Sequence, residues 1–200
     1  IPVRVEVASE FRYRGPILSH VGLVIIISQS GETADSLAAL REAKKQGSKT
    51  LAIVNVVGSS IAREADYVMY TMAGPEIAVA TTKAYSTQLI AMYLLALEFA
   101  RDKEQLTDDA VQTYIQSLQI LSEQIEKILA DKERIQWFAA KFANIKDAFF
   151  IGRGIDYSIG LEGSLKMKEI SYVHSEAYAA GELKHGTSRR PSGLRKTTYC

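Results

Sequence analysis

The amino-acid sequence predicts an α/β fold in which helices flank a parallel β-sheet. The first observation is the uniformly apolar, β-branched run at positions 24–27, which is typical of a strand buried on both faces. The second is the stretch at 34–46, where apolar residues recur at helical spacing. The third is another buried-strand pattern at 50–57. Because strands that alternate with helices pair in parallel through crossovers, these runs together indicate one sheet covered by helices.

Local patterns predict the remaining elements of the first half. Alternating apolar and polar residues at 1–7 suggest a half-exposed strand, and Gly15-Pro16 marks a loop at 11–20. Gly47 stands at a position where helices commonly end. The other expected elements are a short helix that follows Ser59 and Ser60 and runs through Arg63, and a strand at 67–70.

The second half is predicted to be mainly helical and to begin a second sheet. Residues 108–130 keep an amphipathic helical period, and we interpret this stretch as a bridge between two domains. The other expected elements are helices at 76–101 and 134–144, a strand at 147–151, a Gly152-Arg-Gly154 loop and a helix at 157–172. The predicted organisation is a first domain at 1–106, linking helices at 107–145, the start of a second domain at 146–186 and an atypical tail at 187–200.

Composition excludes several classes of partner. The net charge of +1 and the lack of a basic run interleaved with aromatic residues argue against nucleic acid. The longest apolar stretch is too short to cross a membrane. Cys200 is the one cysteine, which excludes an internal disulfide and a cysteine-based metal cluster. No pattern indicates a metal or cofactor, and no signal peptide opens the chain, so we expect a cytoplasmic location.

Three hydroxyl side chains and a glycine follow the first buried strand. Ser28, Ser30, Gly31 and Thr33 lie at 28–33, here called the hydroxyl loop, immediately before the predicted helix. Because helix-start N–H groups and the helix dipole attract anions, this loop suits a phosphate monoester such as a sugar phosphate. It lacks the residues of a Walker loop or a dinucleotide fingerprint. Serine and threonine are also common helix caps, and the spacing alone leaves both interpretations open.

A second group of polar side chains occurs on the last predicted helix and after it. Lys166 lies three residues from Glu169 and four from Glu162, so the three share one helix face. On spacing alone, a solvated ion-pair face explains this pattern best. His185 lies in a glycine-bounded loop, where an imidazole can face a cleft and titrate near neutral pH, although single histidines are more often structural. His174 is expected at a helix end.

Four long blocks of the sequence occur in the same order in one known enzyme family. They are ISQSGETADSL at 27–37, LAIVNVVGSS at 51–60, GPEIAVATTKAY at 74–85 and LKMKEISYVHSEAYAAGELKHG at 165–186. They closely resemble the glucosamine-6-phosphate synthases, the isomerising glutamine:fructose-6-phosphate amidotransferases. The resemblance extends almost without a break from position 1 to 186. It implies sugar isomerase (SIS) domains, each a parallel sheet flanked by helices.

The resemblance implies a fructose 6-phosphate site in the first domain. Val79 and Thr81 match positions that line the sugar, and Thr81 stands where the family more often has serine. The residues that match the phosphate-holding positions are Ser28, Gln29, Ser30 and Thr33.

The resemblance also implies an isomerase site in the second domain. Lys166 and Glu169 match the isomerase positions. His185 matches the histidine that opens the sugar ring. In the family this histidine is contributed by the neighbouring subunit, which implies a homodimer. These residue types suit the reaction. A carboxylate can carry a proton between C1 and C2, and a lysine can stabilise developing negative charge.

Several parts of the family pattern are missing from these 200 residues. They include the glutaminase domain with its cysteine nucleophile and the first strand of the first SIS domain. After Gly186 the sequence departs from the family, and the basic tail at 187–200 is expected to be disordered. We therefore expect a truncated isomerase region. The alternatives are a non-catalytic SIS regulator that binds a phosphosugar, which would not need Glu169 or His185, and a structural fragment that binds nothing.

Overall fold

The computed structural model describes residues 1–183, which form two compact units that divide between Leu121 and Ser122. This division lies inside the stretch at 107–145 that the sequence assigned to linking helices. His185 and the tail at 187–200 lie outside the described residues. Within positions 1–183, none of the helices combines the length and the apolarity that crossing a bilayer requires.

The first unit contains a three-stranded parallel sheet with the strand order β1-β2-β3, which confirms the predicted α/β class. Its connections are helical, as parallel pairing requires. The elements in chain order are α1 (Ala8–Phe11), β1 (Leu23–Ser28), α2 (Ala34–Lys45), β2 (Lys49–Val54), α3 (Ser60–Glu64), β3 (Tyr67–Tyr70), α4 (Lys83–Asp102) and α5 (Asp108–Gln119).

The core of the first unit lies between the sheet and its crossover helices. Leu40 of α2 and Ile61 of α3 are fully buried, and both belong to one cluster with side chains of β1 and β2. Fully burying a leucine or isoleucine contributes about 1.5–3 kcal/mol relative to exposure. The remaining fully or nearly fully buried members of this cluster are Ile26, Ala39, Ala52, Val54 and Ala62.

The register of the sheet brings three strand ends to one edge. Ser28 at the end of β1 pairs with Val54, and Val54 pairs in turn with Tyr70 at the end of β3. The residues that follow these strands therefore emerge side by side. In open α/β sheets this carboxyl edge is where ligands bind.

The second unit contains a parallel pair of strands, β4 (Asp147–Gly152) and β5 (His174–Ala179), joined by the helix α8 (Ile155–Ser171). Gly163 allows this helix, α8, to approach β4 closely, because a Cβ at that position would lie 2.8 Å from Cε1 of Phe150. Ser164 of α8 and Ser175 of β5 are both buried, and each hydroxyl donates to the other residue's carbonyl, at 2.9 and 2.8 Å. Two helices, α6 (Leu121–Ala130) and α7 (Lys132–Lys141), precede β4 in the chain.

Two predicted elements of the first unit differ from the structure. Residues 1–7 form no strand, because no described strand pairs with them, and Val3 and Val5 are mostly exposed. The helix expected at 76–101 begins only at Lys83. Its start is shifted because the Glu76 carboxylate accepts hydrogen bonds from the backbone N–H groups of Thr82 and Ala84, and so it caps α4.

Two further differences lie around the second unit. The single helix expected at 108–130 is divided at Ile120 into α5 and α6. Strand β5 was not predicted, and His174 is its first residue and does not end a helix. Its sequence, HSEAYA, contains no β-branched residue, so pairing with β4 and not intrinsic preference makes it a strand.

A buried threonine at the start of β2 holds the turn before β3. The Thr50 hydroxyl donates to Oδ2 of Asp66 at 2.8 Å and accepts from the Asp66 N–H at 3.0 Å, and the Thr50 N–H donates to the same carboxylate. The bonds from Thr50, together with nearby Lys44, hold the pKa of Asp66 below its usual value. Because the pKa is lower in the folded protein, this stabilisation is present above about pH 4 and is lost as the pH falls through the folded-state value.

Replacing Thr50 with valine is therefore expected to lower the melting temperature at neutral pH and to reduce the loss of stability on acidification. Valine keeps the shape and the N–H donor but removes the hydroxyl bond, so the Asp66 pKa returns toward its usual value. Thermal denaturation between pH 7 and pH 3 measures both effects. The control is Thr50→Ser, which keeps the hydroxyl; equal acid sensitivity in the valine variant and the wild type would contradict the assignment.

Candidate functional site

The hydroxyl loop connects the end of β1 to the start of α2. Ser28 is the last residue of β1 and is buried, whereas Thr33 occupies the N-cap position of α2 and is exposed. Thr33 has extended backbone angles, as an N-cap residue should, yet its side chain makes no capping hydrogen bond. Its Oγ1 instead lies 3.2 Å from Oγ of Ser28. The simple capping interpretation therefore does not account for the Thr33 hydroxyl.

Hydroxyl and amide groups converge within this loop. The Gly31 N–H donates to Oγ of Ser28 at 3.1 Å, and the Glu32 N–H donates to Oγ of Ser30 at 3.2 Å. Both bonds lie just before the first turn of a 12-residue helix, where the dipole and the free N–H groups favour an anion. The loop thus places three hydroxyl groups at the positive end of α2.

Contacts with the start of α3 hold the hydroxyl loop in place. Gly31 has φ +66°, and a Cβ there would lie 2.1 Å from the buried Ser59 hydroxyl, so only glycine fits. The Gly31 carbonyl accepts from the Ile61 N–H at 3.0 Å. The Glu32 carboxylate accepts from the Ser60 N–H at 2.7 Å. Hydrogen bonding with Ser60 lowers the pKa of Glu32, so its negative charge is engaged by α3.

Asn55, directly after β2, is a polar residue that the sequence interpretation missed. Its backbone N–H donates to the carbonyl of Gln29 in the hydroxyl loop at 3.1 Å. Its side chain is mostly buried and contacts Ala73 and Gly74, which follow β3. The predicted strand at 50–57 contained Asn55, whereas β2 ends at Val54, so Asn55 directly follows the strand at the ligand-binding edge of the parallel sheet.

Val79 and Thr81 lie in the irregular stretch at 71–82, here called the β3–α4 segment. Val79 is fully exposed and Thr81 is half-buried. The segment begins at the same sheet edge as the hydroxyl loop, because Thr71 directly follows β3 and its N–H donates to the Val54 carbonyl. The structure thus places the start of the segment beside the loop.

In the second unit, Lys166 lies between two carboxylates on α8. Its Nζ is 2.5 Å from Oε2 of Glu169 and 3.5 Å from Oε1 of Glu162, which confirms the shared helix face. The hydrogen bond to Glu169 raises the pKa of Lys166, burial opposes this rise, and the charge of Glu162 adds to it. Lys166 is therefore cationic at neutral pH, and the Glu169 side chain, 39% exposed, remains accessible.

His185, which the resemblance matches to the ring-opening histidine, lies outside the described residues. His174 is exposed at the start of β5, with Nδ1 3.1 Å from a carboxylate oxygen of Asp147. This contact joins the first residues of β4 and β5, which pair in register, so it is a strand-pair contact at the amino edge of the sheet.

Comparison with known proteins gives consistent results for the sequence and the fold. A family model described as SIS domain matches residues 1–98 and 141–190. The isomerising glutamine–fructose-6-phosphate aminotransferase of Caldanaerobacter subterraneus is 62% identical over 187 residues, and that of Clostridium acetobutylicum is 59% identical over 187 residues. Both alignments cover 94% of this chain and 31% of the relative. The chain thus spans about a third of the length of the curated relatives it matches.

Solved structures agree with this assignment. The C-terminal domain of glucosamine-fructose-6-phosphate aminotransferase from Francisella tularensis matches with a TM-score of 0.90 and 44% identity, over 94% of this chain and 53% of that one. A glucosamine-6-phosphate deaminase from Thermotoga maritima matches with a TM-score of 0.67 and 26% identity, over 96% and 55% of the two chains. With a family model that covers well over half of its residues and a parallel sheet of the same fold, the chain belongs to the SIS domain family.

Proposed function

We propose that this chain is the isomerase region of a glutamine–fructose-6-phosphate aminotransferase, in which fructose 6-phosphate and ammonia from glutamine give glucosamine 6-phosphate. The observation that carries the proposal is the hydroxyl loop at the start of α2. It is supported by the close match to the isomerising aminotransferases of other organisms.

The hydroxyl loop is proposed to bind the phosphate group of the sugar. The hydroxyls of Ser28, Ser30 and Thr33 and the amide side chain of Gln29 supply hydrogen-bond donors, and α2 supplies the positive end of its dipole. Val79 and Thr81 contact the sugar from the β3–α4 segment. The proposal assigns no cofactor or metal, because an isomerisation through an enolamine moves only protons.

Glu169 is proposed to carry the proton of the isomerisation. Ammonia condenses with the C2 carbonyl and water leaves. The carboxylate then takes a proton from C1 while the imine nitrogen gains one, which forms an enolamine. It returns the proton to C2 while the C1 hydroxyl loses its own. The result is an aldehyde at C1 and an amine at C2. Lys166, held cationic beside Glu169, stabilises the negative charge that develops on oxygen. His185 opens the sugar ring.

The proposal includes a cytoplasmic homodimer. A dimer is inferred because the resemblance assigns His185 to the site of the neighbouring subunit, which leaves each site incomplete in a single chain. A suitable probe is a chimera in which this chain replaces the 187 matched residues of the Caldanaerobacter subterraneus enzyme. Sedimentation of the chimera as a monomer would contradict the dimer, and cell fractionation tests the location.

The chain is expected to bind fructose 6-phosphate, and the Ser28→Ala, Thr33→Ala double variant is expected to bind it much more weakly. Each hydrogen bond to a charged group contributes about 1.5–3 kcal/mol, so losing two reduces affinity by two or more orders of magnitude. Isothermal titration measures the affinity. Fructose 6-phosphate should also raise the melting temperature of the wild type but not that of the double variant.

The matched control is Thr113→Ala, which removes a hydroxyl on α5 that donates only to the Asp109 carbonyl of its own helix. Its affinity should equal that of the wild type. Unchanged affinity in the double variant would remove the phosphate-binding role from the hydroxyl loop. Absence of binding by the wild type would favour the structural-fragment alternative.

A further inference from the structure

We propose that Asn55 is a positioning residue that fixes the sugar-contacting β3–α4 segment relative to the hydroxyl loop, and so sets the preference for a sugar phosphate over phosphate alone. This inference rests on the proposed function and assigns a role to a residue outside the binding set given above.

The side-chain hydrogen bonds of Asn55 are all to residues at the start of the β3–α4 segment. Its Nδ2 donates to the Gly74 carbonyl at 2.7 Å, and its Oδ1 accepts from the Ala73 N–H at 2.8 Å and from Oγ1 of Thr71 at 3.2 Å. Asn55 is only 9% exposed, so these bonds are shielded from water. Removing the side chain would leave backbone groups of the segment without their partners.

The backbone N–H of Asn55 forms a hydrogen bond with the hydroxyl loop. Its N–H donates to the Gln29 carbonyl at 3.1 Å. This one residue thus joins the loop proposed to hold the phosphate to the segment proposed to contact the sugar. A side-chain substitution breaks only the second connection, because the backbone bond remains.

The far end of the segment is held separately. The Glu76 carboxylate accepts from the N–H groups of Thr82 and Ala84 and from the Thr82 hydroxyl. Burial disfavours the charged form of Glu76, but these hydrogen bonds outweigh it and lower its pKa. Residues 77–81 therefore lie between two clamps, at Asn55 and at Glu76. Val79, fully exposed in this stretch, depends on the clamps and not on a core of its own for its position.

The test compares two probes, fructose 6-phosphate and inorganic phosphate, by isothermal titration of the chain. Asn55→Ala is expected to weaken fructose 6-phosphate binding about tenfold while phosphate binding changes less than about twofold. A merely structural role would weaken both probes together.

Two further variants keep the test decisive. Thr71→Val removes one bond to Oδ1 and should give a smaller loss in the same direction, which carries the test if Asn55→Ala does not fold. Combining Asn55→Ala with Thr81→Ala should give less than the sum of the single effects, because a misplaced Thr81 has little contact left to lose. Equal effects on the two probes, or additivity, would overturn the positioning role. A wild type that binds phosphate but not fructose 6-phosphate would instead overturn the proposed function, and the inference with it.

Discussion

Replacing Glu169 with glutamine in the chimera is expected to lower kcat by about 10²–10⁴-fold, with little change in sugar binding. Glutamine has almost the same shape as glutamate but cannot take up a proton at neutral pH, so only the proton transfer is lost. Production of glucosamine 6-phosphate from fructose 6-phosphate and glutamine gives kcat, and competition by fructose 6-phosphate analogues gives binding. A fall in kcat without a rise in KM is the signature of a group that acts in the transition state.

Glu162→Gln is a matched control for this experiment. Oε1 of Glu162 also lies 3.5 Å from Nζ of Lys166. Replacing Glu162 therefore removes a carboxylate charge beside the same lysine but keeps the proposed proton carrier. Its kcat should stay within a few-fold of the wild type. Equal losses in both variants would mean that the carboxylates act only by pairing with Lys166. Full activity of Glu169→Gln would mean that Glu169 is only part of a solvated ion-pair face.

Gly31→Ala is expected to be the most destabilising single methyl addition in the first unit. Alanine must adopt φ +66°, which costs about 1–2 kcal/mol for a residue with a side chain. Its Cβ would also lie 2.1 Å from Oγ and 2.6 Å from Cβ of Ser59, and overpacking of this kind costs about 1–3 kcal/mol more. Urea denaturation measures the sum as a lower midpoint at unchanged slope.

Gly47→Ala separates the two contributions. Gly47 has φ +84°, but nothing lies within 4 Å of a Cβ at that position, so this variant reports the backbone term alone. Adding Ser59→Gly to Gly31→Ala should recover the steric part, because the atoms that crowd the new Cβ are then gone. If Gly31→Ala costs no more than Gly47→Ala, the loop moves to accept the methyl group, and the close approach to Ser59 is not a constraint.

The elements that the sequence predicted well are those whose burial leaves a periodic pattern. Strands β1 and β2 are runs of apolar residues, and α2 repeats its apolar positions at helical spacing, so local reasoning was sufficient. Strand β5 has no such pattern, and it exists because β4 offers it a partner. Residues 76–82 were predicted as the start of a helix opened by Gly74-Pro75, but the Glu76 carboxylate caps α4, which begins at Lys83.

The candidate site was predictable to a similar extent. The hydroxyl groups between a strand and a helix can be recognised from the local sequence. The same is true of the Lys166–Glu169 pair, which has helical spacing. Asn55 was not predictable from its neighbours in sequence, because its side-chain partners lie 16 to 19 residues further along the chain. Only the parallel register, which aligns the ends of the three strands, brings them together.

The hydroxyl loop is tied to the sheet and to α3 largely through its main chain, and this has an evolutionary consequence. The Gln29 and Gly31 carbonyls accept from the N–H groups of Asn55 and Ile61, and any residue type at positions 55 and 61 except proline can donate such bonds. Side chains at positions 29 and 30 contribute nothing to those two bonds. Descendants of such a scaffold can therefore vary these side chains, and with them the anionic group that the loop binds, without first having to restabilise the loop.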